Sequence, residues 1–244
     1  MVNRISETSF HSSHKPKAMA NTGTLLLRHF EALDALPLPA LPDDVEWLNP
    51  LRTYPEARTV FEAFLEKFYA DDAPRTLILG INPGRFGGGI TNIAFTDPVL
   101  LEAVCHIPNS FEKRAELSAQ FIYRVIEAFG GITLFYDRFY INSICPLGFV
   151  KGGKNYNYYD EKPLQEAVLP LIKWHLEGLL RHCRADNTRC ICLGEGKNFA
   201  FLQKLNEAEG YFKEVIPVSH PRFVMQYRRK LVEDYVQGYL EVLR

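Results

Sequence analysis

Four short apolar runs, separated by longer stretches of helical periodicity, constrain this chain more than any other feature. They are Thr76–Ile81 (TLILGI), Phe139–Cys145 (FYINSIC), Arg189–Leu193 (RCICL) and Glu214–Val218 (EVIPV). Each reads as a strand buried on both faces, the pattern of a parallel sheet covered by helices. Helical spacing fills the intervals near Lys113–Phe129, Glu161–Cys183 and Lys197–Glu209, and returns from Val224 to Leu243. Upstream, a helix is expected over Thr24–Leu36, stopped by the proline-rich stretch Pro37–Pro42. Another is opened by Pro55 and carries Val60, Phe61, Phe64, Leu65 and Phe68 on one face. This alternation predicts a three-layer α/β/α sandwich with a central, mostly parallel four-stranded sheet. Ligands of such sheets sit at the carboxyl ends of the strands.

With 244 residues, 47% of them hydrophobic, the chain can bury one core but not comfortably two. A single domain is expected over residues 23–244, after a polar, aperiodic and mobile tail at 1–22. His11 and His14 read as part of that tail and not as metal ligands. No stretch suits a signal peptide and none approaches the ~18 apolar residues of a membrane span. A soluble cytoplasmic protein, with no membrane contact, is therefore expected. The formal net charge of -1 excludes attraction of a polyanion through bulk charge, so any such contact needs a local patch. Five cysteines (Cys105, Cys145, Cys183, Cys190 and Cys192) show no Cys-x-x-Cys pair. Their spacing matches no zinc or iron–sulfur site, and a reducing compartment fits best.

Three of the four strand ends carry conspicuous polar residues. The first leads into Gly80-Ile81-Asn82-Pro83-Gly84-Arg85-Phe86-Gly87-Gly88-Gly89, with Thr91 and Phe95 beyond. Such glycine density means that the backbone closely approaches something. The segment lacks both Gly-Lys-Ser/Thr and Gly-x-Gly-x-x-Gly, which weakens nucleotide readings. Asn82, held extended before proline, can orient a water or ligand but cannot serve as a strong base. Phe95 reads either as a stacking platform or as a core aromatic. The second segment, Tyr140–Leu147, buries Asn142 in an apolar strand, which requires hydrogen bonds to its amide. Asn142 is then either a satisfied structural residue or a ligand reader. The third, Pro217–Phe223, places His220 at a strand end. Ser219 points to the opposite face, against a Ser-His dyad. After it, Arg222, Arg228, Arg229 and Lys230 are interleaved with Phe223, Met225 and Tyr227 without an acid, giving either a phosphate-binding patch or a solvated helix start. Lys151 and Lys154, in the loop Lys151–Tyr159, are further candidates for phosphate contact.

Taken in order and spacing, these segments resemble the single-strand-selective monofunctional branch of the uracil-DNA glycosylases, as a divergent, bacterial-type member. The similarity runs from about Thr76 to Leu243 and leaves the first 70 or so residues unaccounted for. It implies that Asn82 positions the hydrolytic water and that Phe95 stacks on a flipped base beside Ile81. Classical members carry Asp and Tyr where this chain has Asn82 and Gly84, so Gly84 is expected to open room beside carbon 5 of the base. Tyr140–Leu147 is similar to the family's Asn-Leu-Cys-Pro-Leu, which implies that Asn142 reads the base edge. Ser219-His220-Pro221 is similar to the second family motif, whose histidine donates to the base carbonyl beside the scissile bond. Here His-Pro-Arg-Phe replaces His-Pro-Ser-Pro-Arg-Asn, which puts the wedge function in question.

The resemblance implies excision of uracil, or of a 5-substituted uracil, from single- or double-stranded DNA to leave an abasic site. DNA contacts are expected from Arg85, Lys151, Lys154, Arg222, Phe223, Arg228, Arg229 and Lys230. No metal, no organic cofactor and no lyase activity are expected, and the protein is expected to act as a monomer in the cytoplasm or on the nucleoid. Three alternatives stay open: another deaminated base (xanthine or hypoxanthine), a catalytically silent nucleic-acid-binding protein, and a cysteine hydrolase built on Cys105-His106 or Cys145.

Overall fold

The structure, a computed structural model, describes residues 20–244. His11, His14 and nearly all of the expected tail lie outside the described residues. The first helix starts at Thr22, two residues before the expected Thr24, because Asn21 caps it: its Oδ1 accepts from the Thr24 N–H at 2.8 Å.

The elements follow in chain order. α1 (Thr22–Ala35), β1 (Val45–Leu48), α2 (Pro50–Thr53) and α3 (Pro55–Phe68) precede the first central strand, β2 (Thr76–Gly80). Then come α4 (Gly88–Thr91), α5 (Pro98–Ala103), α6 (Leu117–Phe129), α7 (Ile132–Arg138) and β3 (Phe139–Ser143). β4 (Gly148–Lys151), β5 (Lys154–Tyr156), α8 (Lys162–His182), β6 (Arg189–Leu193) and α9 (Lys197–Glu209) follow. β7 (Glu214–Val218), α10 (Pro221–Tyr227) and α11 (Val232–Leu243) complete the chain.

The central sheet has the order β3-β2-β6-β7 and every pairing is parallel. The chain leaves β2 toward β3, then crosses back past β2 to β6. With right-handed crossovers these opposite moves place α6 and α8 on opposite faces, giving the three layers. The reversal also opens a crevice at the carboxyl end of β2, where such sheets bind ligands. Leu77 and Leu79 of β2, Cys190, Cys192 and Leu193 of β6 and Ile172 of α8 are fully buried in the core between the layers.

Two features differ from the sequence expectation. β1, β4 and β5 form a second, antiparallel sheet, with Gly152 and Gly153 turning the β4–β5 hairpin at φ of 56° and 71°. Two consecutive residues at positive φ are what a tight hairpin turn requires, and only glycine adopts them freely. Lys151–Tyr159 is therefore partly strand and not simply a loop. Second, the last helix is broken. Arg228 leaves the helical region (φ -129°, ψ 25°), and a short turn at Arg229–Leu231 separates α10 from α11. The break lets both pieces pack on α6, burying Val224 and Met225 from one and Val232 and Val236 from the other.

Candidate active site

Asn82 follows β2 by two residues. Hydrogen bonds from Ile144 N–H to the Gly80 carbonyl and from Cys145 N–H to the Ile81 carbonyl, both 3.0 Å, extend the β2–β3 pairing up to it. Its amide is then fixed from the far side. Nδ2 donates to the Tyr156 carbonyl at 3.2 Å, and Oδ1 accepts from the Tyr158 N–H at 3.1 Å. One N–H and one oxygen lone pair are left for a ligand, in a known orientation. Gly148 permits this seam, since a Cβ there would overlap the Pro83 carbonyl. The Arg85 N–H adds a bond to Asn155 Oδ1 at 3.1 Å, and its guanidinium donates to the Gly153 carbonyl.

Phe95 sits at φ 55°, a left-handed conformation that costs a non-glycine residue about 1–3 kcal/mol. The Thr91 hydroxyl holds the loop there, donating to the Thr96 carbonyl at 2.8 Å and accepting from the Ile93 N–H at 3.1 Å. The ring lies over the end of β2, where a Cβ on Gly80 would approach it to 2.7 Å.

His220 caps α10. Its Nδ1 accepts from the Arg222 N–H at 3.1 Å, so the proton of the neutral ring resides on Nε2. Burial, then the neighbouring Arg222 charge, lowers its pKa to about 4. The imidazole is thus neutral at physiological pH with one N–H available. Its centroid lies 6.2 Å from that of Phe95.

These three residues line one cavity of about 470 Å³, within the usual range for small-molecule sites. Ile81 and Gly84 line it too. Asn142 does not. Its amide donates to the Tyr140 hydroxyl at 3.0 Å and accepts from the Ser143 N–H at 2.8 Å, on the face away from the cavity, and Ser143 lines the cavity instead. Adjacent strand residues face opposite ways. The register agrees: counted back from Cys145-Pro146-Leu147, the asparagine of Asn-Leu-Cys-Pro-Leu falls on Ser143.

Gly84 also departs from expectation. The space left by its missing side chain is not open, because Glu116 Oε1 lies 2.7 Å from where a Cβ would stand. Residues at the cavity that sequence reasoning missed include Glu116, Ser118, Ser143, Asn155, Tyr159 and Gln226. The Cys-Pro-Leu register pointed to Ser143, and the Gly152-Gly153 pair signalled the hairpin that brings Asn155. No local signal marks Glu116.

Of the expected DNA contacts, Arg222 and Phe223 line the cavity, and Arg85, Lys154 and Arg222 line an adjoining cleft. Phe223 is 39% exposed and Tyr227 62% exposed, one helical turn apart at the cavity mouth, with centroids 5.8 Å apart. The Arg228 guanidinium lies over the Phe223 ring at 5.4 Å, and Arg229 and Lys230 are exposed beside it. Met225, counted with this patch in the sequence, is buried. Lys151 lies outside the cavity and pairs with Glu161 at 3.5 Å.

A sequence model described as the uracil DNA glycosylase superfamily matches residues 66–244. The chain belongs to that superfamily. Its members are DNA glycosylases, hydrolases of DNA repair. Among solved structures, this superfamily member is similar to SMUG2 of Pedobacter heparinus, at 39% sequence identity and a TM-score of 0.88 over 92% of this chain and 97% of that one. Among curated proteins, none matches.

The cysteines offer this glycosylase no nucleophile. All five are buried and free, and burial pushes Cys105 up to about 11 and Cys145 up to about 12, so both remain thiols. Among the described residues, no group of three or more His, Cys, Asp and Glu could hold a metal ion. No helix among them is long and apolar enough to cross a membrane.

Proposed function

We propose that this protein is a monofunctional DNA glycosylase that hydrolyses the N-glycosidic bond of uracil in DNA and leaves an abasic site. The observation that carries this is the convergence of a doubly tethered amide (Asn82), a neutral imidazole with a free N–H (His220) and a strained aromatic (Phe95) on one cavity.

Bond cleavage runs ahead of water attack, leaving an oxocarbenium-like sugar and a uracil anion. Negative charge grows on the base carbonyl beside the scissile bond. The His220 Nε2–H donates to it, and neutrality avoids proton transfer to a leaving group that departs as an anion. Asn82 Oδ1 holds the water that captures the sugar, with no base required against so strong an electrophile. Phe95 stacks on the base, and the exposed Phe223 and Tyr227 fill the stack it leaves, as apolar wedges do in other DNA complexes. Extrusion costs a few kcal/mol, less from single strands and mispairs. Arg222, Arg228, Arg229 and Lys230 meet the phosphates, with Arg85 and Lys154 along the adjoining cleft. No lysine lines the cavity to form a Schiff base, consistent with a monofunctional reaction.

Ser143 favours a second reading, in which other deaminated bases such as hypoxanthine and xanthine are also excised. A hydroxyl rotates to donate or accept and enforces no single edge pattern. A panel of strands with one modified base each, cleaved at abasic sites with alkali, tests both readings. A nick at uracil is expected, with weaker nicks at the purines. DNA binding without any nick would defeat both.

A further inference from the structure

We propose that Tyr158 and Asn198 are positioning residues for the hydrolytic step: together they lock the segment that holds the Asn82 amide onto the carboxyl end of β6. The inference rests on the glycosylase function proposed above.

Both tethers of Asn82 come from residues 156–158, at the end of the antiparallel sheet, which shares no strand with the central one. A tether orients a side chain only as well as it is itself anchored. At Tyr156 the anchor is weak, since that side chain is half-buried with Lys151 over its ring. Tyr158 is different. It is fully buried, its ring packs against Phe201 at a centroid distance of 4.8 Å, and its hydroxyl donates to Asn198 Oδ1 at 2.9 Å.

Asn198 is buried in the first turn of α9, where side chains lean toward the helix N-terminus and so toward the strand that feeds it. Its Nδ2 donates to the Leu193 carbonyl at 3.2 Å and to Cys192 Sγ at 3.4 Å. A carbonyl can only accept, so Nδ2 must face β6 and Oδ1 must face Tyr158, which makes the tyrosine hydroxyl the donor. Burial raises that hydroxyl well above its ordinary value, so it keeps its proton at physiological pH. A path of fixed contacts thus runs from β6 through Asn198 and Tyr158 to Asn82 Oδ1, the oxygen that holds the water in the proposed reaction.

The same strand end holds the other half of the site. The Gly194 N–H donates to the Val218 carbonyl at 2.7 Å, just before His220. A Cβ on Gly194 would stand 3.4 Å from that of Asn198 and 3.9 Å from that of His220. The end of β6 therefore sets the spacing between the amide that holds the water and the imidazole that faces the leaving base. Neither Tyr158 nor Asn198 lines the cavity, so both act through Asn82.

The test is Tyr158→Phe, which keeps the ring and removes only the hydroxyl. Its single-turnover rate on a uracil strand at saturating protein should fall about 10- to 100-fold, the cost of a misplacement approaching 1 Å. Affinity for a cleavage-resistant 2′-fluoro-arabino strand should stay within about twofold of wild type. In an Asn82→Ala background the same substitution should change the rate by less than about twofold, because its route to the reaction is gone. A merely structural role predicts equal losses in both backgrounds. That result, or a near-wild-type rate for Tyr158→Phe alone, would overturn the proposal. Should Tyr158→Phe fail to fold, Asn198→Ala frees the same hydroxyl without touching the ring and takes its place, with the same outcomes. A wild type that cleaves no strand would defeat the glycosylase function itself, and the hold on Asn82 is then read directly. Its side-chain amide protons, the NMR pair missing from Asn82→Ala, should exchange with solvent faster in Tyr158→Phe than in wild type. Unchanged exchange would end the positioning role.

Discussion

Two imidazoles in this protein, one half-buried and one fully buried, have the same charge and different surroundings. His220, at the end of β7, is lowered to about 4 by burial and by Arg222. His29, between α1 and α8, is lowered to about 3 by burial, then by His182 and Arg181. Both are neutral at physiological pH. They differ in where the second nitrogen points. His220 commits Nδ1 to the N-terminus of α10 and leaves Nε2–H on the cavity. His29 Nε2 meets His175 Nδ1 at 3.0 Å, and its ring stacks on Trp174 at 4.4 Å, sealed against the open backbone of Gly178. Desolvation keeps both rings neutral, but only His220 presents its N–H to the cavity, and on the proposed function that access is what gives it a part in catalysis.

The strongest way to break this comparison is to remove the donor. His220→Ala should reduce uracil excision about 10²–10³-fold, the usual cost of a lost preorganised donor. Losing its cap should cost only about 1 kcal/mol of stability. Single-turnover rates and a thermal melt check both, and near-wild-type excision would remove His220 from catalysis. Asn82→Ala should cost excision about 10²-fold with the fold intact, since its tethers come from the neighbouring hairpin.

The opposite outcome is expected at the second imidazole. An alanine Cβ at position 178 would overlap the His29 ring, which is packed between Phe30, Trp174 and His175. Overpacking costs about 1–3 kcal/mol, more than the ~1 kcal/mol that alanine returns in helix propensity. Gly178→Ala should therefore melt a few degrees lower while excising uracil normally below its melt. A loss of activity without a loss of stability would mean that the two sites communicate.

The pH dependence of stability sharpens the contrast further. Unfolded, His29 protonates near 6.5, whereas folded it resists until about 3. Stability from this site is whole above pH 6.5 and is lost progressively as pH falls toward 3. His29→Leu should flatten that part of the melting-temperature curve. The neutral form of His220 persists until about pH 4, so excision by the folded enzyme should not decline on the acid side before then. The smallest effect belongs to the surface beside His220. Replacing Arg228, Arg229 and Lys230 with alanine should weaken DNA binding and lower the salt slope by about 0.9 for each phosphate that is no longer neutralised. Turnover at saturating DNA should hold.

Residues whose roles depend on their immediate neighbours could be read from the chain. β6 and β7 appear with the expected boundaries because short apolar runs between turn signals have few other uses. That Asn82, Phe95 and His220 would meet at one cavity was legible because each is tied to a strand end. Asn142 misled because side-chain direction in a strand has a period of two, so a slip of one residue exchanges the cavity for the opposite face. The β1–β4–β5 sheet was hidden in strands of three or four residues, with β1 pairing across about 100 positions. Glu116 was hidden more deeply, since nothing near it in the chain refers to Gly84 or Gly87.

By itself, the sequence determined the layers, the parallel sheet and the strand ends at which chemistry would collect, because hydrophobic period and glycine and proline placement act over a few residues. Only the tertiary structure decided which face of β3 meets the cavity, which backbone holds the Asn82 amide, and which side chain fills the space beside Gly84. Those depend on contacts between segments far apart in the chain, and close packing settles them to within a fraction of an ångström.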